Sequence, residues 1–259
     1  MLIWGSLALF VKNIRYSSAE IVLARILFGI TFLLILFAVT RRKPDRAALK
    51  RNGLKLLLSG AAMGMNWAAL FESYRWVDVS IATLCYYTAP VFVMIGSILI
   101  VREKLSLPRA AGMIAAVAGM FIVTGAVLGG VDPVKGVLFA LLSAVLYASV
   151  SLSVKSVSGL SGLEITIGQL VGALCVMLPY ALITHQGAWR FPETGELLCM
   201  AALGLIHTGI ALYAYFSAIQ DLSVQSVALL SYIDPLSALG FAAVSSASAW
   251  ACCSGSARR

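Results

Sequence analysis

Charge is scarce in this chain. Only 12% of its 259 residues are charged, with 19 Lys and Arg against 11 Asp and Glu. A water-soluble fold of this length needs far more polar surface to cover its core, so a soluble domain is excluded. There are two histidines, His185 and His207. No H-E-x-x-H, G-x-S-x-G or Walker-type phosphate loop occurs, which argues against a membrane-embedded enzyme and against ATP as the energy source within this chain. No metal and no cofactor is expected. The cysteines Cys85, Cys175 and Cys199 lie in apolar runs, where they act as small hydrophobes. With Cys252 and Cys253 they form no disulfide framework and show no zinc-like spacing. The apolar start has no basic leader and no small-residue cleavage site, so no cleavable signal peptide is expected.

What is present is apolar: 61% of the residues are hydrophobic. The runs are continuous, not alternating with period two, which favours membrane-spanning helices over a barrel. The sequence predicts an all-α, polytopic membrane bundle with about nine spans, near 1–12, 18–40, 55–75, 79–101, 108–128, 136–154, 163–184, 197–219 and 224–244. The first is too short to cross alone and reads as clipped.

The net charge of +8 does not point to nucleic acid. Its basic residues sit in short loops, without aromatic interleaving or a groove-reading motif. The 41–55 loop carries Arg41, Arg42, Lys43, Arg46, Lys50, Arg51 and Lys55, and the 102–109 loop carries Arg102, Lys104 and Arg109. The positive-inside rule places both loops, and Lys155, in the cytoplasm. Lys12, Arg15, Arg75, Lys135 and Arg190 then fall outside.

The chain also repeats itself. Tyr86-Tyr87-Thr88-Ala89-Pro90 answers Ser231-Tyr232-Ile233-Asp234-Pro235 at a spacing of 145 residues. Gly64 and Gly209, Phe71 and Phe216, and Leu84 and Leu229 keep the same spacing. Glu20 and Glu164 are one residue out of that register, which a single loop insertion explains. An odd number of spans separates equivalent helices, so the two units have inverted topology. Their expected boundaries are 1–128 and 136–244, with 245–259 as an aberrant tail.

Ser18-Ala19-Glu20-Ile21-Val22-Leu23-Ala24-Arg25, Tyr87-Thr88-Ala89-Pro90, Arg102-Glu103-Lys104-Leu105 and Tyr232-Ile233-Asp234-Pro235 together resemble the drug/metabolite transporter superfamily, EamA type. The resemblance covers roughly residues 2–244. It implies two five-helix inverted repeats and movement of small metabolites, often outward. The second unit departs from this pattern after Val244, where a tenth helix is missing. One choice of codons for the tail, read two bases later, restores a glutamate opposite Glu103 and the start of such a helix. A frameshift near Val244 is therefore expected, and an inactive remnant is the alternative to a working transporter.

The leading function is a secondary transporter, an exporter of small metabolites such as amino acids or amines, working by alternating access in the cytoplasmic membrane. Its expected partners are a small-molecule substrate, the lipid bilayer and a coupled proton, with a homodimer left open. Pro90 and Pro235 each remove a backbone donor in an apolar helix, which either lines a cavity or merely kinks the helix. Asp234, near mid-span, either binds a cationic group or a proton, or is a neutral acid bonded to carbonyls freed by Pro235. Arg25 either snorkels outward or pairs with Glu72 as an outer gate. Asn66 and Trp67 lie at cavity depth. Tyr86, Tyr87, Tyr147, Tyr213, Tyr215 and Tyr232 are candidates for aromatic walls, which suit cations and aromatic amino acids. His207 reads as hydrogen-bonded structure sooner than a relay, Glu20 and Glu164 as helix caps, and the Gly112, Ala115, Ala116, Gly119 stripe as helix packing.

Overall fold

The computed structural model describes residues 1–11, 13–41, 44–104, 106–124, 132–187, 190–238 and 240–241. Two short helices, α1 (Leu2–Gly5) and α2 (Leu7–Val11), lead into α3 (Ser18–Val39) and α4 (Arg46–Ser73). A broken pair follows, α5 (Val79–Tyr86) and α6 (Ala89–Leu99), then α7 (Leu107–Thr124), α8 (Pro133–Lys155) and α9 (Gly162–Thr184). Next, α10 (Thr194–Ala202) passes through a π-helical turn (Leu203–Ile210) into α11 (Ala211–Asp221), and α12 (Val224–Leu230) comes last. There is no strand among the described residues.

Six stretches are long and apolar enough to cross a membrane: α3, α4, α5–α6, α8, α9 and α10–α11. The chain is thus a helical membrane bundle. Among the described residues the expected nine spans are not all reached. Leu2–Val11 and Leu107–Gly119 are apolar but shorter. The expected span 224–244 begins as α12 and continues as helix over 233–238, while residues 242–244, like the whole 245–259 tail and its frameshift reading, lie outside the described residues. So do Lys12, Arg42, Lys43 and the end of the expected fifth span, 125–128.

Local chemistry fixes the helix starts. Ser17 with Glu20, and Ser161 with Glu164, form reciprocal capping boxes at α3 and α9, as expected of both glutamates. Asp45 accepts hydrogen bonds from Ala47 N–H and Ala48 N–H, starting α4 well before residue 55. Arg46, Lys50, Arg51 and Lys55 therefore ride on the helix and not in a loop. At 1.5 Å per residue α4 is about 42 Å long, more than a hydrocarbon core of about 30 Å, so its basic start reaches the headgroup layer.

Polar contacts gather the loops into two ends. At one end, Arg51 donates to the Ser158 carbonyl at 3.2 Å and Asp45 N–H to Glu164 at 3.2 Å. Lys155 donates there to the Gln220 and Leu222 carbonyls at 2.9 and 2.8 Å. Glu103 accepts from Val224 N–H at 2.9 Å, joining the turn after α6 to the start of α12. At the other end, Glu196 accepts from Arg15 N–H and from the Arg190 guanidinium. The Lys135 ammonium lies 3.5 Å from the Trp76 ring centroid.

Glycines set the tightest helix crossings. A Cβ on Gly60 would collide with the Gln169 backbone, one on Gly64 with Ala173, and one on Gly172 with the Leu57 carbonyl, so α4 and α9 touch backbone to backbone. Gly204 and Gly209 let the π turn press against the Phe28 Cβ and the Phe32 ring of α3. The expected Gly112 and Gly119 stripe is not such a seam. Nothing described lies within 4 Å of a Cβ at Gly119, and Gly112 meets only Leu229, at 3.6 Å.

The π turn at Leu203–Ile210 joins α10 and α11 into one continuous apolar span, Thr194–Asp221.

Candidate functional site

The two proline motifs break their helices just ahead of the prolines. After α5 the chain turns at Tyr87-Thr88, and Pro90 sits in the first turn of α6, where its missing N–H costs nothing. The Thr88 hydroxyl donates back to the Cys85 carbonyl at 2.6 Å. The Tyr87 carbonyl, left out of the helical ladder, accepts the Tyr232 hydroxyl at 3.1 Å from the second motif. The two breaks therefore meet directly, through residues 145 apart.

Around this junction lies a cavity of about 470 Å³, a size that suits a metabolite. Asn66, Trp67, Tyr86, Tyr87, Pro90, Tyr147, His207, Tyr232, Asp234 and Arg25 all line it. Its aromatic wall is continuous. Tyr86 meets Tyr147 edge-on at 6.0 Å between centroids, Tyr147 donates to the Tyr215 hydroxyl at 3.0 Å, and Trp4 packs edge-on to Tyr215 at 5.6 Å. Ser151 lies 2.9 Å from the same Tyr215 hydroxyl.

Three expected site residues fall elsewhere. Tyr213 is half-buried against the core and does not line the cavity, whereas Leu212, Tyr215 and Phe216 of α11 share the face that does. Pro235 is buried but does not line the cavity. Glu72 is held 3.0 Å from Arg75 and accepts from Trp76 Nε1 at 3.1 Å. The expected Arg25–Glu72 pair is not formed. Arg25 Nε donates instead to Thr208 Oγ1 at 3.1 Å, across the glycine-lined crossing of α3 with the π turn.

The remaining polar groups differ in how far they are committed. Asn66 is 2% exposed and its amide donates to the Ser143 carbonyl and hydroxyl at 2.6 and 3.0 Å, tying α4 to α8. His207 Nε2 lies 3.0 Å from the Ser6 hydroxyl, and Trp4 Nε1 donates to the His207 carbonyl at 2.8 Å, while His207 Nδ1 is buried without a partner among the described residues. The carboxyl of Asp234 makes no hydrogen bond to a described residue, and it lies within electrostatic reach of Tyr86, Tyr87 and the N-terminal ammonium of Met1, which lines the same cavity.

Sequence reasoning missed Trp4, Tyr74, Thr83 and Ser151 on the cavity wall, and Thr208 beside Arg25. For Thr208 a signal existed in the Gly204 and Gly209 pair, which brings the π turn close to α3.

Similar proteins carry the same architecture. A solved crystal structure, 20% identical, superposes with a TM-score of 0.79 over 95% of this chain and 86% of that one, which speaks to the fold. An uncharacterized transporter of Bacillus subtilis (strain 168), YxxF, is 28% identical over 243 residues, 92% of this chain and 77% of that protein. The aromatic amino acid exporter YddG of Ancylobacter novellus is 28% identical over 192 residues, 70% of this chain and 66% of that protein. The EamA-like transporter family matches residues 1–125 and 134–247. With its bundle of apolar helices around a largely apolar and aromatic cavity, the chain belongs to the EamA-like transporter family and is an integral protein of the plasma membrane.

Proposed function

We propose that the protein is a secondary transporter, not an enzyme, that exports small metabolites such as amino acids or amines by alternating access between two inverted halves. One observation carries this reading: the 470 Å³ cavity lies where the two broken helices meet, joined by the Tyr232–Tyr87 hydrogen bond. A tie between equivalent points of two halves is where rocking of one half against the other changes contacts least, with access alternating on either side. Asp234 supplies a carboxyl at the cavity, among tyrosine faces that suit an ammonium or an aromatic side chain. The same carboxyl is the candidate carrier of a coupled proton. The grouping of Arg51, Lys155 and Glu103 contacts at one end is consistent with that end facing the cytoplasm. The name of the Ancylobacter relative, an aromatic amino acid exporter, favours the same substrate class.

The test is counterflow in proteoliposomes containing the purified full chain, with radiolabelled L-phenylalanine, L-tyrosine and phenethylamine. At least one substrate should accumulate above empty liposomes and respond to an imposed proton gradient, and Asp234→Asn should abolish that response. No transport of any of the three, or an unchanged gradient response in Asp234→Asn, refutes the corresponding part.

A further inference from the structure

We propose that Arg25 is the anchor for a substrate carboxylate, so that the cavity selects a zwitterionic α-amino acid over the matching amine. This rests on the transporter reading above and narrows its substrate class. Arg25 lies about 10 Å along α3 from Ser18 at 1.5 Å per residue, inside the apolar span. Its Nε is committed to Thr208 Oγ1 at 3.1 Å. Thr208 spends its own proton on the Leu203 carbonyl at 3.1 Å, a bond five residues back that the π turn creates. The hydroxyl is thus fixed as an acceptor, and the guanidinium is oriented by it.

The two NH2 groups of Arg25 make no hydrogen bond to a described residue, and no described carboxylate lies within 4 Å of them; the ion pairs among the described residues belong to Arg75, His185 and Arg190. Glu72, the acid that the sequence suggested, is occupied by Arg75 and Trp76. An arginine at bilayer depth without a counter-ion costs about 3 kcal/mol on insertion scales, so such a residue marks a functional site. Its free edge, the pair of NH2 groups, matches a carboxylate in two parallel hydrogen bonds. Asp234, equally without a hydrogen bond, lines the same cavity. A ligand carrying both an ammonium and a carboxylate answers both charges. An amine answers Asp234 alone and leaves Arg25 unpaired.

The experiment measures binding of L-phenylalanine, phenethylamine and 3-phenylpropionate to the purified full chain in nanodiscs. Wild type should bind L-phenylalanine at least about tenfold more tightly than phenethylamine, the scale of one charge-assisted pair. Arg25→Gln should reduce L-phenylalanine to the affinity of phenethylamine while leaving phenethylamine within about threefold of wild type. Thr208→Val should weaken L-phenylalanine selectively, and by less. Should Arg25→Gln fail to fold, the wild-type ladder decides: equal affinity for the amino acid and the amine overturns the anchor. So does an Arg25→Gln protein that binds L-phenylalanine as wild type does. Binding of none of the three probes overturns the amino acid and amine reading itself, and the anchor with it.

Discussion

Replacing Gly60 with alanine adds one methyl group at the closest point of the bundle. A Cβ there would overlap the Gln169 carbonyl oxygen and lie 2.9 Å from Gln169 C and Cα, all backbone atoms that cannot rotate aside. The helices α4 and α9 must separate, which puts the cost near the top of the usual overpacking range, about 3 kcal/mol. Alanine returns about 1 kcal/mol of helix propensity, leaving a net loss of about 2 kcal/mol. At about 2–4 °C per kcal/mol for a chain of this size, the melting temperature should fall by about 4–8 °C. Gly53, two turns earlier in α4, is the control, because nothing described lies within 4 Å of its Cβ. Gly53→Ala should gain up to about 1 kcal/mol and melt about 2–4 °C higher. The assay is thermal unfolding of the purified full chain in one detergent, followed by far-UV circular dichroism. A Gly60→Ala protein that melts at or above wild type would show that α4 and α9 do not meet backbone to backbone.

Other perturbations address the ends and the junction. Tyr232→Phe removes the hydroxyl that satisfies the Tyr87 carbonyl and should cost about 1–3 kcal/mol in the same melt, together with a clear loss of counterflow; unchanged values for both would remove the junction from the mechanism. Glu103→Ala strips both acceptors from the first N–H groups of α12 and should cost about 1–3 kcal/mol, whereas Glu103→Gln keeps one acceptor and should cost less; a Glu103→Ala protein that melts as wild type does would show that this contact does not hold α12. Ser161→Ala breaks one capping box and should lower stability by about 1 kcal/mol. Arg75→Ala should change the melt by less than about 1 kcal/mol, since its pair with Glu72 is an exposed i,i+3 bridge; a larger drop would contradict that placement.

The features legible in the sequence are those settled within a few residues or by the solvent. Scarcity of charge and continuous apolar runs required a helical membrane bundle, because lipid leaves no other way to satisfy the backbone. Ser17 with Glu20 and Ser161 with Glu164 announced helix starts that the structure has, since a capping box closes over four residues. Tyr87-Thr88-Ala89-Pro90 announced a break, although the turn falls at Tyr87-Thr88 and the proline begins the next helix.

What the sequence left open is rotation and partner choice. In a helix apolar on every side, the face toward lipid and the face toward its neighbours have the same composition, so periodicity does not separate them. That is why Tyr213 and Tyr215 read alike, and why only packing turned Tyr215 to the cavity and left Tyr213 off it. It is why Glu72 looked like the partner of Arg25 until the glycine-lined crossing delivered Thr208. Composition and short-range chemistry chose the solvent, the helices and their breaks; backbone contacts between distant segments chose which side chains share a cavity, because that choice depends on how each helix is turned against its neighbours.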